Sequence, residues 1–279
     1  MLRFLKTAKW VAIASLFFSQ SFAHVTPVPT RVIYHQGDKF TAVNVQNNDP
    51  NNAYGLESWV IASDPKNPAQ TVKGTIDHDF LISPKFTVVP AKNEQVVLHI
   101  IKLPSTDLPK DRESLFYLEF QEAPPKLDLA DNSSKKGHLQ SGLQIAIHTQ
   151  IKMMYRPKDI PELKNSEING KITWKHKGDD IVFDNSSPYV INSLGLTDQI
   201  PDQTGQDDSK STKAKPIVMQ KARILLPFKK TVVKLTPAER DIFNKLLANN
   251  KPLYLIYIND YGGEVYFLLK KEGASHEDL

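Results

Sequence analysis

The sequence predicts an all-β protein made of two strand-rich domains. From His24 onward, short runs rich in valine, isoleucine, phenylalanine and tyrosine are separated by proline, asparagine, aspartate and glycine. Several of these runs alternate apolar and polar residues, which is the period of a half-buried strand. About 255 residues remain after the first 23, and that length suits two domains of ordinary size.

The first 23 residues predict a secretory signal peptide that is removed after Ala23. Arg3, Lys6 and Lys9 form a basic start, and Trp10–Phe18 is an apolar run. This run is too short to span a bilayer, which takes about 20 residues. Ser21 and Ala23 then supply small residues at the spacing that signal peptidase recognises. A membrane anchor is the alternative interpretation.

Charge and cysteine content narrow the function classes. The full chain has a net charge of +4, and the first 23 residues hold three basic and no acidic groups, which leaves +1 (4 − 3). Nucleic acid and anionic membrane are therefore not expected as partners. The chain has no cysteine, so no disulfide framework holds it. No second apolar run reaches membrane length, and we expect an exported protein of a bacterial periplasm without membrane insertion.

Candidate strands of the first domain are spaced by turn signals about every dozen residues, which favours an immunoglobulin-like sandwich. They are Arg31–Tyr34, Phe40–Gln46, Tyr54–Ala62, Lys85–Val89, Gln95–Ile101, Leu115–Gln121 and Leu143–Tyr155. The polar stretch Lys126–His138 is predicted to be a mobile loop that leads into the last of these strands.

The strand predicted at Leu143–Tyr155 is unusually long. Leu143, Ile145 and Ile147 share one face with two later apolar residues, while polar residues occupy most of the other face. A long strand with an apolar face is an aggregation hazard at a sheet edge. The stretch by itself allows two interpretations, a central core strand or a strand offered to a partner.

The two prolines of Arg156–Pro161 mark the predicted domain boundary, because each removes a backbone donor. We therefore predict a first domain at residues 24–157 and a second at 158–279. Strands of the second domain are predicted at Lys171–His176, Asp180–Asp184, Tyr189–Leu194, Ile217–Met219, Arg223–Leu225, Thr231–Leu235, Leu253–Tyr257 and Val265–Leu269. The polar stretch Thr197–Pro216 is predicted to be a disordered loop.

One helix is predicted at Thr236–Asn249. Thr236 and Glu239 form a capping box, with Pro237 at the first helical position. Apolar residues follow at helical spacing, and we expect them to pack in the core.

Signals of catalysis are weak. The nucleophile-elbow, zincin and phosphate-loop motifs are absent from the sequence, and Asp77-His78-Asp79 is better interpreted as a solvated turn than as a metal site. Arg31 and Lys152 lie among apolar neighbours in two predicted strands. Two interpretations are open: each side chain extends its charge to solvent, or the two form an anion site between the domains.

Four blocks of the sequence resemble the periplasmic pilus-assembly chaperones of the chaperone–usher pathway. They are Leu108–Tyr117, Ile151–Pro157, Thr30–Tyr34 and Tyr257–Gly263, and they occur in the order that the family shows. The resemblance implies two immunoglobulin-like domains in an L-shaped arrangement. One departure is Glu119, where the family usually has asparagine.

The resemblance also implies site residues. Arg31 and Lys152 would hold the C-terminal carboxylate of a pilus subunit, and Leu143, Ile145 and Ile147 would form the donor strand. Glu113, Arg156 and Asp260 would form a charged network between the domains, with a structural role.

The function implied by the resemblance is a chaperone, not an enzyme, that needs no cofactor. Its partners would be pilus or fimbrial subunits and an outer-membrane usher. The rival class is an exported adhesive or ligand-binding sandwich module. The sequence leaves open which subunits bind, and whether the free protein dimerises to cover its edge strand.

Overall fold

The computed structural model describes residues 23–72, 79–104, 107–126, 144–201 and 215–272. The predicted signal peptide except its last residue, the donor residue Leu143, and most of the two predicted polar loops lie outside these residues.

Strands of the first half are β1 (Val25–Pro27), β2 (Arg31–His35), β3 (Thr41–Asn47), β4 (Tyr54–Ala62), β5 (Phe80–Ser83), β6 (Phe86–Val89), β7 (Gln95–Lys102), β8 (Ser114–Ala123) and β9 (His148–Arg156). The second half begins with the short helix α1 (Asn165–Ile168). It continues with β10 (Ile172–Lys177), β11 (Asp180–Asn185), β12 (Ile191–Thr197), β13 (Arg223–Leu225), β14 (Lys229–Lys234), helix α2 (Pro237–Ala248), β15 (Tyr254–Ile258), β16 (Glu264–Leu268) and β17 (Lys270–Lys271).

Each half folds into two sheets around a core of its own. The first half has the sheets β1-β3-β7-β5 and β2-β9-β8-β4-β6, and the second has β14-β11-β10-β17 and β13-β12-β15-β16. The first core includes the fully buried residues Val45, Val89, Leu98, Ile100 and Met153, and the second includes Ile168, Ile172, Ile181, Phe183 and Leu255. The predicted fold class of two immunoglobulin-like sandwiches is confirmed.

Strand β8 is buried on both faces because it lies between the first core and the second domain. Leu118 and Phe120 point into the first core. Leu115 and Tyr117 instead join a cluster that includes Val190 of the second domain. This double burial explains the uninterrupted apolar run Leu115–Leu118.

The prediction of a strand beginning at Leu143 is wrong at its start, because β9 begins at His148. Gln144–Ile147 carry no regular strand pairing. Opposite them, β8 ends at Ala123 and is followed by Pro124 and Pro125, which have no N–H to donate to a ladder. The amide of Ile147 donates instead to the Glu122 side chain, at 3.0 Å.

The predicted helix is confirmed as α2. Thr236 Oγ1 accepts from the Glu239 amide and the Glu239 side chain accepts from the Thr236 amide, which completes the capping box. Phe243 is fully buried and packs edge to face on Trp174, with ring centroids 5.4 Å apart. Leu246 and Leu247 are partly buried against the same core, whereas Ile242 is 37% exposed, so core packing of the apolar stripe is confirmed except at Ile242.

Some other differences from the prediction have local causes. Strands β1 and β5 are absent from the prediction. They span only three and four residues, which is too short for a periodic signal. The strand predicted at Ile217–Met219 is reduced to a single bridge between Val218 and Leu196. Met219 has a φ of 56°, which no regular strand accommodates.

Candidate functional site

Two cations are brought side by side on one sheet face. Strand β2 runs parallel to β9, and their register places Arg31 opposite Lys152. Both side chains are partly buried. Arg31 Nη1 also donates to the carbonyl oxygen of Ile258 in the second domain, at 3.1 Å, so this pair lies where the two domains meet.

Among the described residues, neither cation of the pair is in direct contact with a negative charge. Burial lowers the pKa of Lys152, and the neighbouring charge of Arg31 lowers it further. Burial also lowers the pKa of Arg31, although the more distant charge of Asp260 opposes this. Within the described part of the chain, no carboxylate forms an ion pair with either residue. An anion placed between them would restore the charge balance.

A buried charged network lies at the same junction. Arg156, at the end of β9, contacts Glu113 Oε1 through Nη2 at 2.6 Å and through Nε at 2.7 Å. It also contacts Asp260 of the second domain, with Nη1 2.6 Å from Oδ2 and Nη2 2.8 Å from Oδ1. Glu113 Oε2 accepts the amide of Val190, at 2.7 Å, which makes a further link to the second domain.

Burial and ion pairing act in opposite directions on the pKa values of Arg156 and Glu113. Burial alone would lower the pKa of Arg156, but hydrogen bonds and charges from Asp260 and Glu113 raise it above its ordinary value. Burial raises the pKa of Glu113, against the opposing charge of Arg156. We nevertheless take Glu113 as ionised, because two N–H groups of the Arg156 guanidinium contact Oε1 and the Val190 amide donates to Oε2, and donors of this kind favour the carboxylate form.

An apolar cluster also joins the two domains. Ile61, Leu115, Tyr117 and Met154 of the first domain pack with Val190 and Ile224 of the second, and all six are buried. Burial of this cluster together with the ion pairs fixes how the two domains meet near Arg31 and Lys152.

The first part of β9 has one unpaired edge. Strand β8 pairs with His148–Tyr155 on one side, whereas β2 pairs only with Lys152–Arg156 on the other. Among the described residues, His148–Ile151 therefore has no strand partner on the β2 side. The preceding Ile145 is 51% exposed and Ile147 is partly buried. An edge of this kind, beside exposed aliphatic side chains, is suited to accept another strand.

Glu122 holds the start of this segment, a role that sequence reasoning missed. Its side chain is only 2% exposed, and its two oxygens accept the amides of Ile147, at 3.0 Å, and Val25, at 3.1 Å. It thus joins the segment before β9 to the first strand of the domain. The sequence offered one signal for this, a lone acidic residue directly before the Ala-Pro-Pro that ends a strand.

Replacing Glu122 with alanine is expected to leave both amides without an acceptor. Buried donors without partners cost about 1–3 kcal/mol, so the free energy of unfolding should fall by that amount. Hydrogen exchange at Ile147 and Val25 should accelerate more than at the rest of the domain. The matched control is Glu57→Ala, at a partly exposed residue paired with Lys85, which should change little. Equal exchange in wild type and Glu122→Ala would contradict this role.

Glu119 organises the outward-facing side chains of β9. It is 3% exposed, and its Oε1 accepts from Gln150 Nε2 at 2.6 Å. Its Oε2 lies 2.6 Å from His148 Nε2, although the contact is not aligned as a hydrogen bond. Trp59 covers His148, with ring centroids 5.5 Å apart. The carboxylate thus orders two side chains that border the free edge.

The structure contains little that suggests a metal site or a membrane span. No group of three potential ligands among the described residues could hold a metal ion. Asp77 and His78 lie outside those residues. None of the described helices is both long enough and apolar enough to cross a membrane.

The sequence matches two family models that together cover most of the chain. Residues 24–161 match the N-terminal domain of the PapD pili and flagellar-assembly chaperones, and residues 167–266 match the PapD C-terminal domain. The chain is 31% identical over 251 residues to the chaperone protein HifB of Haemophilus influenzae, covering 90% of this chain and 89% of HifB. It is 29% identical over 263 residues to the probable fimbrial chaperone YadV of Escherichia coli, covering 93% and 94%.

Solved structures share the fold at lower identity. The SafB chaperone of Salmonella enterica, solved in complex with the SafA pilin, superposes with a TM-score of 0.62 at 21% identity, covering 90% of this chain and 98% of the other. The E. coli chaperone DraB superposes with a TM-score of 0.60 at 21% identity, covering 88% and 96%. With both family models matched in order across two sandwich domains, the chain belongs to the PapD-like family of pilus-assembly chaperones.

Proposed function

We propose that this protein is a periplasmic chaperone that binds, folds and caps fimbrial subunits by lending them an edge strand, and then delivers them to an outer-membrane usher. One observation carries the proposal: the unpaired edge of β9 lies next to two partly buried cations that have no counter-ion among the described residues. The similarity to the chaperone protein HifB and to the probable fimbrial chaperone YadV supports the same conclusion.

The edge supplies affinity through its backbone and its aliphatic side chains. A subunit that lacks its last strand exposes unpaired backbone groups and an apolar groove. A strand added along that groove forms main-chain hydrogen bonds, while alternate side chains fill pockets. Burial of the proposed donor residues Leu143, Ile145 and Ile147 would contribute about 1.5–3 kcal/mol each.

The cations fix the register of that strand. Arg31 and Lys152 would bind the terminal carboxylate of the subunit with charge-assisted hydrogen bonds, each worth about 1.5–3 kcal/mol. A slip of one residue would turn the aliphatic side chains away from the groove, so an anchored terminus selects a single alignment.

The domain boundary and the charged network belong to this proposal. We place the boundary between Pro157 and Lys158, and the packing of Ile160 and Leu163 in the second core supports it. Glu113, Arg156 and Asp260 would hold the angle between the domains without touching the subunit. The pair Arg31 and Lys152 would then stay at a fixed distance from the donor segment.

Replacing Ile145 with aspartate is expected to abolish capture of subunits while the fold remains intact. The side chain is half exposed, so the free chaperone tolerates the charge, whereas a buried and unpaired carboxylate in the complex is costly. The measurement is recovery of fimbrial subunits with the tagged chain after osmotic shock, identified by mass spectrometry.

Val97→Asp is the matched control, because Val97 is 47% exposed on the other sheet of the same domain. It should capture subunits like wild type. If Ile145→Asp captures them equally well, the donor-segment assignment is wrong. If wild type brings down a host-surface ligand and no fimbrial subunit, the adhesive-module interpretation replaces the chaperone.

A further inference from the structure

Asn192, in strand β12, is a buried polar side chain without a partner. The residue is 6% exposed, and within the described chain neither its Nδ2 nor its Oδ1 makes a hydrogen bond. An unpaired buried amide is destabilising, because the group loses its bonds to water and gains none in return. Such a group in a folded domain calls for a specific explanation.

The register of the sheet shows which way this side chain points. Asn192 lies directly opposite Ile224 of β13 and opposite Ile258 of β15, and directly paired residues share a sheet face. Ile224 packs against Tyr117 and Met154 of the first domain. The face that carries Asn192 is therefore the face that the second domain turns toward the first.

The same face reaches the cation pair. The carbonyl oxygen of Ile258, the cross-strand partner of Asn192, accepts the hydrogen bond from Arg31 Nη1, at 3.1 Å. The Nε of Arg31 is also buried without a partner among the described residues. The Asn192 amide of the second domain and Arg31 Nε of the first are thus both unpaired, and both belong to residues that neighbour Ile258.

We propose that Asn192 is the second-domain part of the carboxylate site and binds the peptide group of the last residue of the subunit. A carboxamide carries both a donor and an acceptor, and the terminal residue of a chain offers an N–H and a carboxylate oxygen. Asn192 Oδ1 accepts the N–H and Nδ2 donates to the carboxylate, while Arg31 and Lys152 supply the charge. This inference rests on the proposed chaperone function.

Binding at Asn192 requires the junction to open locally. Both polar atoms of the amide are closed to solvent in the free protein. A chain that enters beside Ile258 needs about 4.8 Å, the spacing of neighbouring strands. The unpaired amide makes the closed junction less stable than an apolar residue would, so Asn192 itself favours this opening.

The test compares stability with binding in one variant. Asn192→Leu keeps the branched shape of the side chain and places an apolar group between Val190 and Ile224. Its melting temperature should equal or exceed that of wild type, because an unpaired buried group has been removed. Its affinity should fall about tenfold for a peptide copied from the C-terminus of the subunit that wild type captures, as expected for the loss of one to two hydrogen bonds.

Ser193→Ala is the matched control. Ser193 is the next residue, is 1% exposed, and its Oγ also lacks a partner among the described residues, but it lies opposite Tyr257 of the second core. Its removal should preserve stability and leave peptide affinity unchanged. A second readout is the side-chain NH₂ resonance of Asn192, assigned by its loss in Asn192→Leu, which should shift when peptide is added to wild type.

The outcomes separate the two proposals. Failure of wild type to bind the peptide would reject the carboxylate site as a whole. Tight binding by wild type and equally tight binding by Asn192→Leu would overturn the role of Asn192 alone. A lower melting temperature in Asn192→Leu with no shift of the wild-type resonance would also overturn it, since Asn192 would then be a structural residue.

Discussion

Replacing Lys152 with methionine is expected to abolish capture of fimbrial subunits while the fold becomes no less stable. Methionine keeps an unbranched apolar stem and removes the charge. Burial and the neighbouring Arg31 both lower the pKa of Lys152, which means that the fold disfavours its charged form. Removing that charge removes an unfavourable contribution to the stability of the free protein. It also removes one of the two groups proposed to hold the subunit carboxylate.

The stability difference between wild type and Lys152→Met should depend on pH. A lysine whose pKa is lowered in the folded state penalises folding at pH values below that folded pKa. The penalty disappears as the pH rises through the folded pKa to the ordinary value of 10.5. Urea unfolding should therefore show the largest advantage of Lys152→Met at neutral pH, and none above about pH 10.5.

Arg31→Met should lose subunit capture in the same way, and Lys158→Met serves as the control at an exposed lysine near the domain boundary. Capture is measured as protection of a co-expressed subunit from proteolysis. If Lys152→Met and Arg31→Met both protect the subunit as well as wild type does, the carboxylate is not held at this pair.

Replacing Glu113 with glutamine is expected to lower the free energy of unfolding by about 3 kcal/mol, the lower end of the range for breaking a buried ion pair. Arg156 is 1% exposed and would keep only Asp260 as a charged partner. The side-chain nitrogen of glutamine cannot accept a hydrogen bond. Either Arg156 or the Val190 amide therefore loses its acceptor in Glu113→Gln. Subunit capture should weaken only as far as the domain angle changes.

Asp111→Asn is the matched control, because Asp111 lies two residues earlier and also pairs with an arginine, but at the surface. Its loss should change stability little, since exposed pairs contribute little. Urea unfolding measures stability, and small-angle scattering measures the angle between domains. An unfolding curve and a scattering profile identical to wild type for Glu113→Gln would reject the structural role of the network.

Much of the local structure follows from the sequence because it depends on neighbouring residues. The alternation of Tyr54–Ala62 predicts β4 to the residue, since side-chain direction repeats every two positions along any strand. The capping box at Thr236 and Glu239 predicts the start of α2, because both of its hydrogen bonds close within one helical turn. The cations Arg31 and Lys152 also stand out by residue type and by their apolar neighbours.

The resemblance to a family added relationships between distant residues that periodicity cannot supply. It named Glu113, Arg156 and Asp260 as one network, and the structure brings the three side chains into contact. The resemblance could not predict the contacts of residues that differ from the family pattern. Glu119, where the family usually has asparagine, holds Gln150 and approaches His148 at the free edge.

The sequence by itself determined most of the strands and which of their faces are apolar, because those properties are set by residues a few positions apart. The tertiary structure alone decided the pairing of β2 with β9, which puts Arg31 beside Lys152 and leaves His148–Ile151 unpaired on one side. It alone showed that Glu122 holds Ile147 and that Asn192 lies unpaired at the junction. The physical reason is that a strand of given period can pair with any neighbour, and only packing of the two complete domains selects one.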